Sequence, residues 1–91
     1  MERWSKQLPD GRYYVPGAPE TLPQGYGGAA VERLAAFENV YAGLLAAQQQ
    51  IAAELQELRA ADKTKSARFK GLLAYKLTNQ NLLDLFASQG L

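Results

Sequence analysis

The pattern of apolar positions is most regular between residues 34 and 58. Large side chains recur there at alternating steps of three and four residues, the heptad spacing of a helix that packs along its length. One member of the series, Gln48, is polar. The series, called the seam below, consists of Leu34, Phe37, Tyr41, Leu44, Gln48, Ile51, Leu55 and Leu58. The spacing predicts one long helix, over residues 29–61, that needs a partner surface.

A second region of helical spacing follows Asp62. Its first face consists of Phe69, Leu72, Leu73 and Leu77. Because Thr78 is a competent N-cap, we expect a break there and two shorter helices, over about 65–77 and 79–89. Gly90 is expected to end the last helix. Both short helices are expected to fold back on the long one.

The first 28 residues have a different composition, with all four prolines and five of the eight glycines. Residues 8–11, Leu-Pro-Asp-Gly, are typical of a tight turn. They predict a short hairpin in which Trp4 lies opposite Tyr13 or Tyr14. Residues 16–28 are interpreted as a linker or extended arm. The predicted fold is therefore mainly α, with an N-terminal arm (1–28) and a helical domain (29–91).

The seam favours self-association. Its apolar flanks, Val31, Val40 and Leu45, make the stripe wider than a two-stranded coiled coil needs, which indicates more than one neighbour. A polar residue such as Gln48 within a seam commonly fixes register and stoichiometry. We expect a homodimer in which residues 48–58 face the partner and residues 34–45 pack on the chain's own C-terminal helices. A monomeric helical hairpin and a complex with a different protein are the alternatives.

Composition limits the available chemistry. The chain contains no cysteine and no histidine, which excludes disulfides, thiolate ligands, imidazole ligands and imidazole bases. The glutamates on the long helix, such as Glu54 and Glu57, are interpreted as solvated surface charges. We therefore expect no catalytic residue, no cofactor-binding residue and no metal ligand, and a protein that is not an enzyme.

Basic residues are concentrated in the last third of the chain. Residues 63–91 contain five basic side chains and one acidic one, although the whole chain has a net charge of only +1. The basic residues are Lys63, Lys65, Arg68, Lys70 and Lys76. With a turn at Thr78, residues 66–91 would have the outline of a helix-turn-helix, so a small DNA-binding accessory factor is the second hypothesis. Against it, the segment 79–88 that would enter the groove has no Arg or Lys.

Three segments carry a resemblance to a known group of proteins. They are AVERLAAFEN at residues 30–39, KTKS at 63–66 and KLTNQN at 76–81. In these segments the chain resembles small proteins of prophages and mobile elements of Gram-positive gut bacteria. The resemblance implies a bacterial, phage-derived accessory protein, and it assigns a role to no individual residue.

The distribution of apolar residues also bears on location. The first residues, MERWSK, lack the apolar segment of a signal peptide. The longest apolar run, around Leu44, is far shorter than the roughly 20 residues that span a bilayer. We therefore expect a cytoplasmic protein with no membrane partner.

Overall fold

The computed structural model describes residues 1–91 and contains four short strands followed by two helices. The chain divides into two compact units, residues 1–38 and residues 39–91. The elements are β1 (Lys6–Gln7), β2 (Tyr13–Tyr14), β3 (Glu20–Leu22), β4 (Gly25–Gly27), α1 (Ala29–Ala60) and α2 (Ala67–Ser88). The prediction of a mainly helical fold is confirmed. Neither helix combines the length and the apolar character needed to cross a membrane.

The first hairpin forms where the turn residues predict it. Strands β1 and β2 pair antiparallel, and Gly11 closes the turn with a positive φ of 93° and a hydrogen bond from its N–H to the carbonyl of Leu8. The carboxylate of Asp10 accepts from the backbone N–H and the guanidinium of Arg12. The expected cross-strand partner of the tyrosines is wrong, because Lys6, and not Trp4, lies opposite Tyr14.

A second hairpin occupies part of the segment interpreted as a linker. Strands β3 and β4 pair antiparallel, with Thr21 opposite Tyr26 and Leu22 opposite Gly25. Gly25 has a φ of 149°, which a side-chain-bearing residue rarely adopts. The interpretation of residues 16–28 as a linker or extended arm is therefore corrected: a tight Pro-Gln turn and a glycine at the strand start allow pairing over three residues.

The two ends of α1 are defined by backbone hydrogen bonds. The first helical bond runs from the N–H of Glu32 to the carbonyl of Gly28. At the other end the N–H of Lys63 bonds to the carbonyl of Leu58, and Asp62 takes the left-handed conformation with φ 56°. This is a Schellman motif, with an aspartate at the position that glycine usually fills. It ends the helix at Ala60, so the connection to α2 is only residues 61–66.

The side chain of Ser66 starts α2. Its hydroxyl accepts from the backbone N–H of Phe69 at 3.1 Å, which satisfies one of the free donors of the first turn. The same hydroxyl donates to the carbonyl of Lys63 at 2.7 Å. Gly90 ends α2 with φ 86°, and the N–H of Leu91 bonds to the carbonyl of Phe86. The predicted glycine stop is confirmed.

The predicted break near residue 78 is wrong, because α2 is a single helix from Ala67 to Ser88. The hydroxyl of Thr78 does not cap a new helix; it donates to the carbonyl of Ala74, one turn earlier, at 3.1 Å. Gln80 and Asp84, which are four residues apart, form a side-chain hydrogen bond that supports the helix past this point. The helix-turn-helix outline expected for residues 66–91 is therefore absent as well.

Candidate association surface

From residue 41 onward, the seam of α1 faces α2. Three contacts define the direction of the pair. The rings of Tyr41 and Phe86 meet edge to face at 5.4 Å, the Gln48 amide donates to the carbonyl of Lys76 at 3.1 Å, and Arg68 bonds Glu54 at 2.6 Å. Because later residues of α1 meet earlier residues of α2, this part of α1 and α2 run antiparallel.

The core of residues 39–91 is small and lies near the connection between the helices. Its buried members are Ile51, Leu55, Phe69 and Leu72, with Leu58 and Leu73 packed against them. Leu55 is the most buried, with 1% of its surface exposed. The guanidinium of Arg59 lies 5.3 Å from the centre of the Phe69 ring and covers one edge of this core.

The contact face of α2 has a heptad spacing of its own, which the sequence analysis missed. Its members are Phe69, Leu72, Lys76, Asn79, Leu83 and Phe86. The steps alternate between three and four, as in the seam of α1. Polar residues stand at the third and fourth positions, and they hid the continuity of this face.

Two polar side chains occupy the middle of the paired helices. Asn79 is buried in α2. Gln48 uses its amide nitrogen to bond the carbonyl of Lys76, while its amide oxygen is buried without a hydrogen-bond partner. A buried acceptor without a partner costs about 1–3 kcal/mol. The Gln48 side chain therefore lowers the stability of the paired helices, whereas a leucine at the same position would raise it.

The expected division of the seam is wrong at most positions, although Tyr41 packs on α2 as expected. Ile51 and Leu55, in the half expected to face a partner, are buried against α2. In the half expected to pack internally, Leu34 and Phe37 are exposed, Leu34 by 57%. The reason is the short connection after α1, which brings the first turns of α2 against the last turns of α1.

Leu34 and Phe37 belong to the first compact unit, where they line an apolar cleft of about 620 Å³. Trp4 also lines it and is covered by Arg33, whose guanidinium lies 4.3 Å from the ring centre. The same guanidinium donates to the carbonyl of Glu2 at 2.6 Å. Trp4 therefore attaches the N-terminal segment to the first turns of α1, rather than pairing with a strand.

The five basic residues differ in how they are held. Arg68 is held by Glu54. The other four are exposed and form no ion pair: Lys63, Lys65, Lys70 and Lys76. No group of three or more acidic side chains is arranged to hold a metal ion.

Comparison with models of protein families, with curated proteins and with solved structures gives no match for this chain.

Proposed function

We propose that the chain is a non-enzymatic assembly protein that acts as a homodimer. The observation that carries the proposal is the exposed apolar surface of the paired helices. Within residues 39–91, Val40, Tyr75, Leu77 and Leu85 each leave more than half of their surface in solvent. Exposed apolar side chains of this size are typical of a surface that another protein covers.

The size of the core supports the same proposal. Only four apolar side chains are buried, and a single small core rarely stabilises a short chain without a further device. Disulfides are excluded because the chain has no cysteine. Burying more of the exposed apolar surface against a second copy supplies the missing stabilisation.

The absence of histidine and cysteine from the sequence supports a role in assembly rather than catalysis, since imidazole bases and thiolate nucleophiles are excluded. The resemblance of residues 30–39, 63–66 and 76–81 to prophage and mobile-element proteins supports an accessory role in a bacterial cell. We propose the cytoplasm as the location on the same grounds.

Sedimentation velocity over a range of micromolar concentrations tests the proposal. We expect a species of twice the chain mass of 10.0 kDa, with the fraction of dimer rising with concentration. A single species of the monomer mass throughout that range would refute the homodimer.

Nucleic-acid binding is the second candidate. It is favoured by the four unpaired lysines, two of which, Lys63 and Lys65, lie in the exposed connection between the helices. Cations that form no internal ion pair are free to contact phosphates. The continuous α2 removes the helix-turn-helix geometry, so any such contact would be with the backbone and not specific for sequence.

A DNA titration at two salt concentrations tests this candidate. If it is correct, affinity falls steeply as salt rises, and the double substitution Lys63→Gln, Lys65→Gln weakens binding and flattens the salt dependence. Lys6→Gln, in the first hairpin, is the matched control and should leave affinity unchanged. Absence of binding at low salt excludes the candidate.

A further inference from the structure

One side of the helical hairpin formed by residues 39–91 is apolar over the part that lies away from the connection. With the seam residues Tyr41 and Phe69 at heptad position a, this side is made of positions g and c of both helices. Near the connection these positions carry Glu57 and the ion pair of Glu54 with Arg68. Farther from the connection none of them is charged, and this uncharged set is called the open face below. It consists of Val40, Gly43, Ala47 and Gln50 on α1 and of Gly71, Tyr75, Thr78, Leu82 and Leu85 on α2.

The opposite side, at positions e and b, differs in character. Charged and amide side chains alternate there with leucines: Gln49, Gln56, Arg59, Lys70, Gln80 and Asp84 lie beside Leu45, Leu73 and Leu77. The open face leaves more large side chains in solvent, with Tyr75 exposed by 66% and Val40 by 59%, together with Leu82 and Leu85. Because no charge interrupts these side chains, the open face is the side better suited to apolar docking.

The two helices contribute unequal bulk to the open face. The open-face residues of α1 are small, such as Gly43 and Ala47, and those of α2 are large, such as Tyr75 and Leu82. A Cβ added at Gly43, or at Gly71 in α2, meets no atom within 4 Å. Nothing inside the chain therefore requires glycine at these positions, although glycine in a helix interior costs about 1 kcal/mol relative to alanine. Close approach of a helix from another chain would account for glycine at both positions.

We propose that the open face is the dimer interface and that two copies of the hairpin form a four-helix bundle with both connections at the same end. The proposal rests on the homodimer proposed above and names its surface. A two-fold axis parallel to the helices sets α1 of each copy against α2 of the other, so the small side meets the large side twice. In the alternative bundle the two connections lie at opposite ends. There α1 packs on α1 and α2 on α2, so small side chains meet small ones and large side chains meet large ones.

Charge supports the same orientation. The ion pair between Glu54 and Arg68 shows which residues of α1 and α2 lie at the same level, meaning the same height along the helix axes. A two-fold axis parallel to the helices leaves each residue of the second copy at that same level. Glu57, which forms no ion pair, then lies level with Lys65 of the second copy. At the other end of the face Val40 lies level with Leu82. The reversed orientation would place the glutamates at the apolar end of the second copy, at a cost in desolvation.

The test compares two substitutions on α2 that differ only in side. Tyr75→Glu adds a charge to the open face, and Leu77→Glu adds one on the opposite side of the helix, where Leu77 is exposed by 67%. We expect Tyr75→Glu to sediment at half the mass of the wild type and Leu77→Glu to remain dimeric. Gly43→Glu should also be monomeric, and its helix should be no less stable, because Glu favours helix more than Gly does.

Circular dichroism checks that each variant folds, and Gly43→Glu decides the matter if Tyr75→Glu does not. If the wild type and both variants, Tyr75→Glu and Gly43→Glu, are dimeric, the open face is not the dimer interface, although the homodimer itself stands. A monomeric wild type overturns the homodimer itself. If Leu77→Glu is monomeric, the interface is not confined to the open face, and the proposal is overturned.

Orientation is measured with a spin label on Thr64→Cys, in the connection, since the chain has no other cysteine. The proposed bundle places the two labels close together at one end. The reversed orientation separates them by at least the length of α2, about 33 Å for its 22 residues. Such a separation would overturn the proposed pairing.

Discussion

Leu55→Ala is expected to lower the free energy of unfolding by about 3–4 kcal/mol. Leu55 is the most buried side chain in the chain and is one of only four buried apolar residues. Truncation removes apolar contact and leaves a cavity between helices that are held by few other contacts. Because the core is so small, we expect the variant to lose the cooperative packing of α2 on α1 at ambient temperature.

Urea denaturation followed by circular dichroism measures this effect, at one fixed protein concentration because dimerisation is linked to folding. Leu77→Ala is the matched control. It makes the same chemical change on an exposed position and should alter the free energy of unfolding by no more than about 0.5 kcal/mol. A loss below about 1 kcal/mol for Leu55→Ala would contradict the core described above.

Gln48→Leu is expected to act in the opposite direction and to stabilise the fold by about 1 kcal/mol. The substitution removes a buried amide oxygen without a partner, worth about 1–3 kcal/mol, and sacrifices one hydrogen bond, worth about 0.5–1.5 kcal/mol. The carbonyl of Lys76 keeps its place in the α2 ladder, since Gln80 follows within the same helix. The midpoint of thermal unfolding should rise by about 4–8 °C.

Two controls separate this effect from a general gain in hydrophobicity. Gln49→Leu, at an exposed neighbouring position, should change stability little. Gln48→Glu keeps the shape but removes the donor and buries a charge, so it should destabilise the protein. An unchanged melting midpoint for Gln48→Leu would mean that the side chain is solvated and not held between the helices.

The bounds of the long helix could be predicted because independent signals agree there. Heptad spacing and a composition rich in strong helix formers both indicate one element, and the structure ends it one residue before the predicted limit. Gly90 could be predicted as a stop because glycine adopts the left-handed conformation at a helix end without strain.

The continuity of α2 could not be predicted in the same way. Lys76 and Asn79 interrupt the apolar series of α2 at two positions, and Thr78 between them is a competent N-cap, so the sequence predicts a break. A threonine hydroxyl such as that of Thr78 can either cap a new helix or bond back to the preceding turn, and the two outcomes look alike in sequence. Tertiary burial of Asn79 against α1 decides between them, and that information is not local.

The second hairpin and the role of Trp4 were missed for a related reason. The β3–β4 pairing is only three residues long and depends on a backbone conformation at Gly25, which composition alone does not reveal. Trp4 has a strand-like neighbourhood, but it lies under Arg33, a residue that is distant in sequence. The open face was also hidden, because it can be assigned only once the partner of the seam is known.

The Schellman motif after α1 has a consequence for how the chain reaches its fold. Because Asp62 and Ser66 reverse the chain within residues 61–66, the groups that form the core are separated by little intervening chain. Closing so short a loop costs little chain entropy, and local contacts of this kind are typical of fast-folding helical proteins. The turn is thus the natural place for the two helices to begin pairing, with the Tyr41 and Phe86 end joining last.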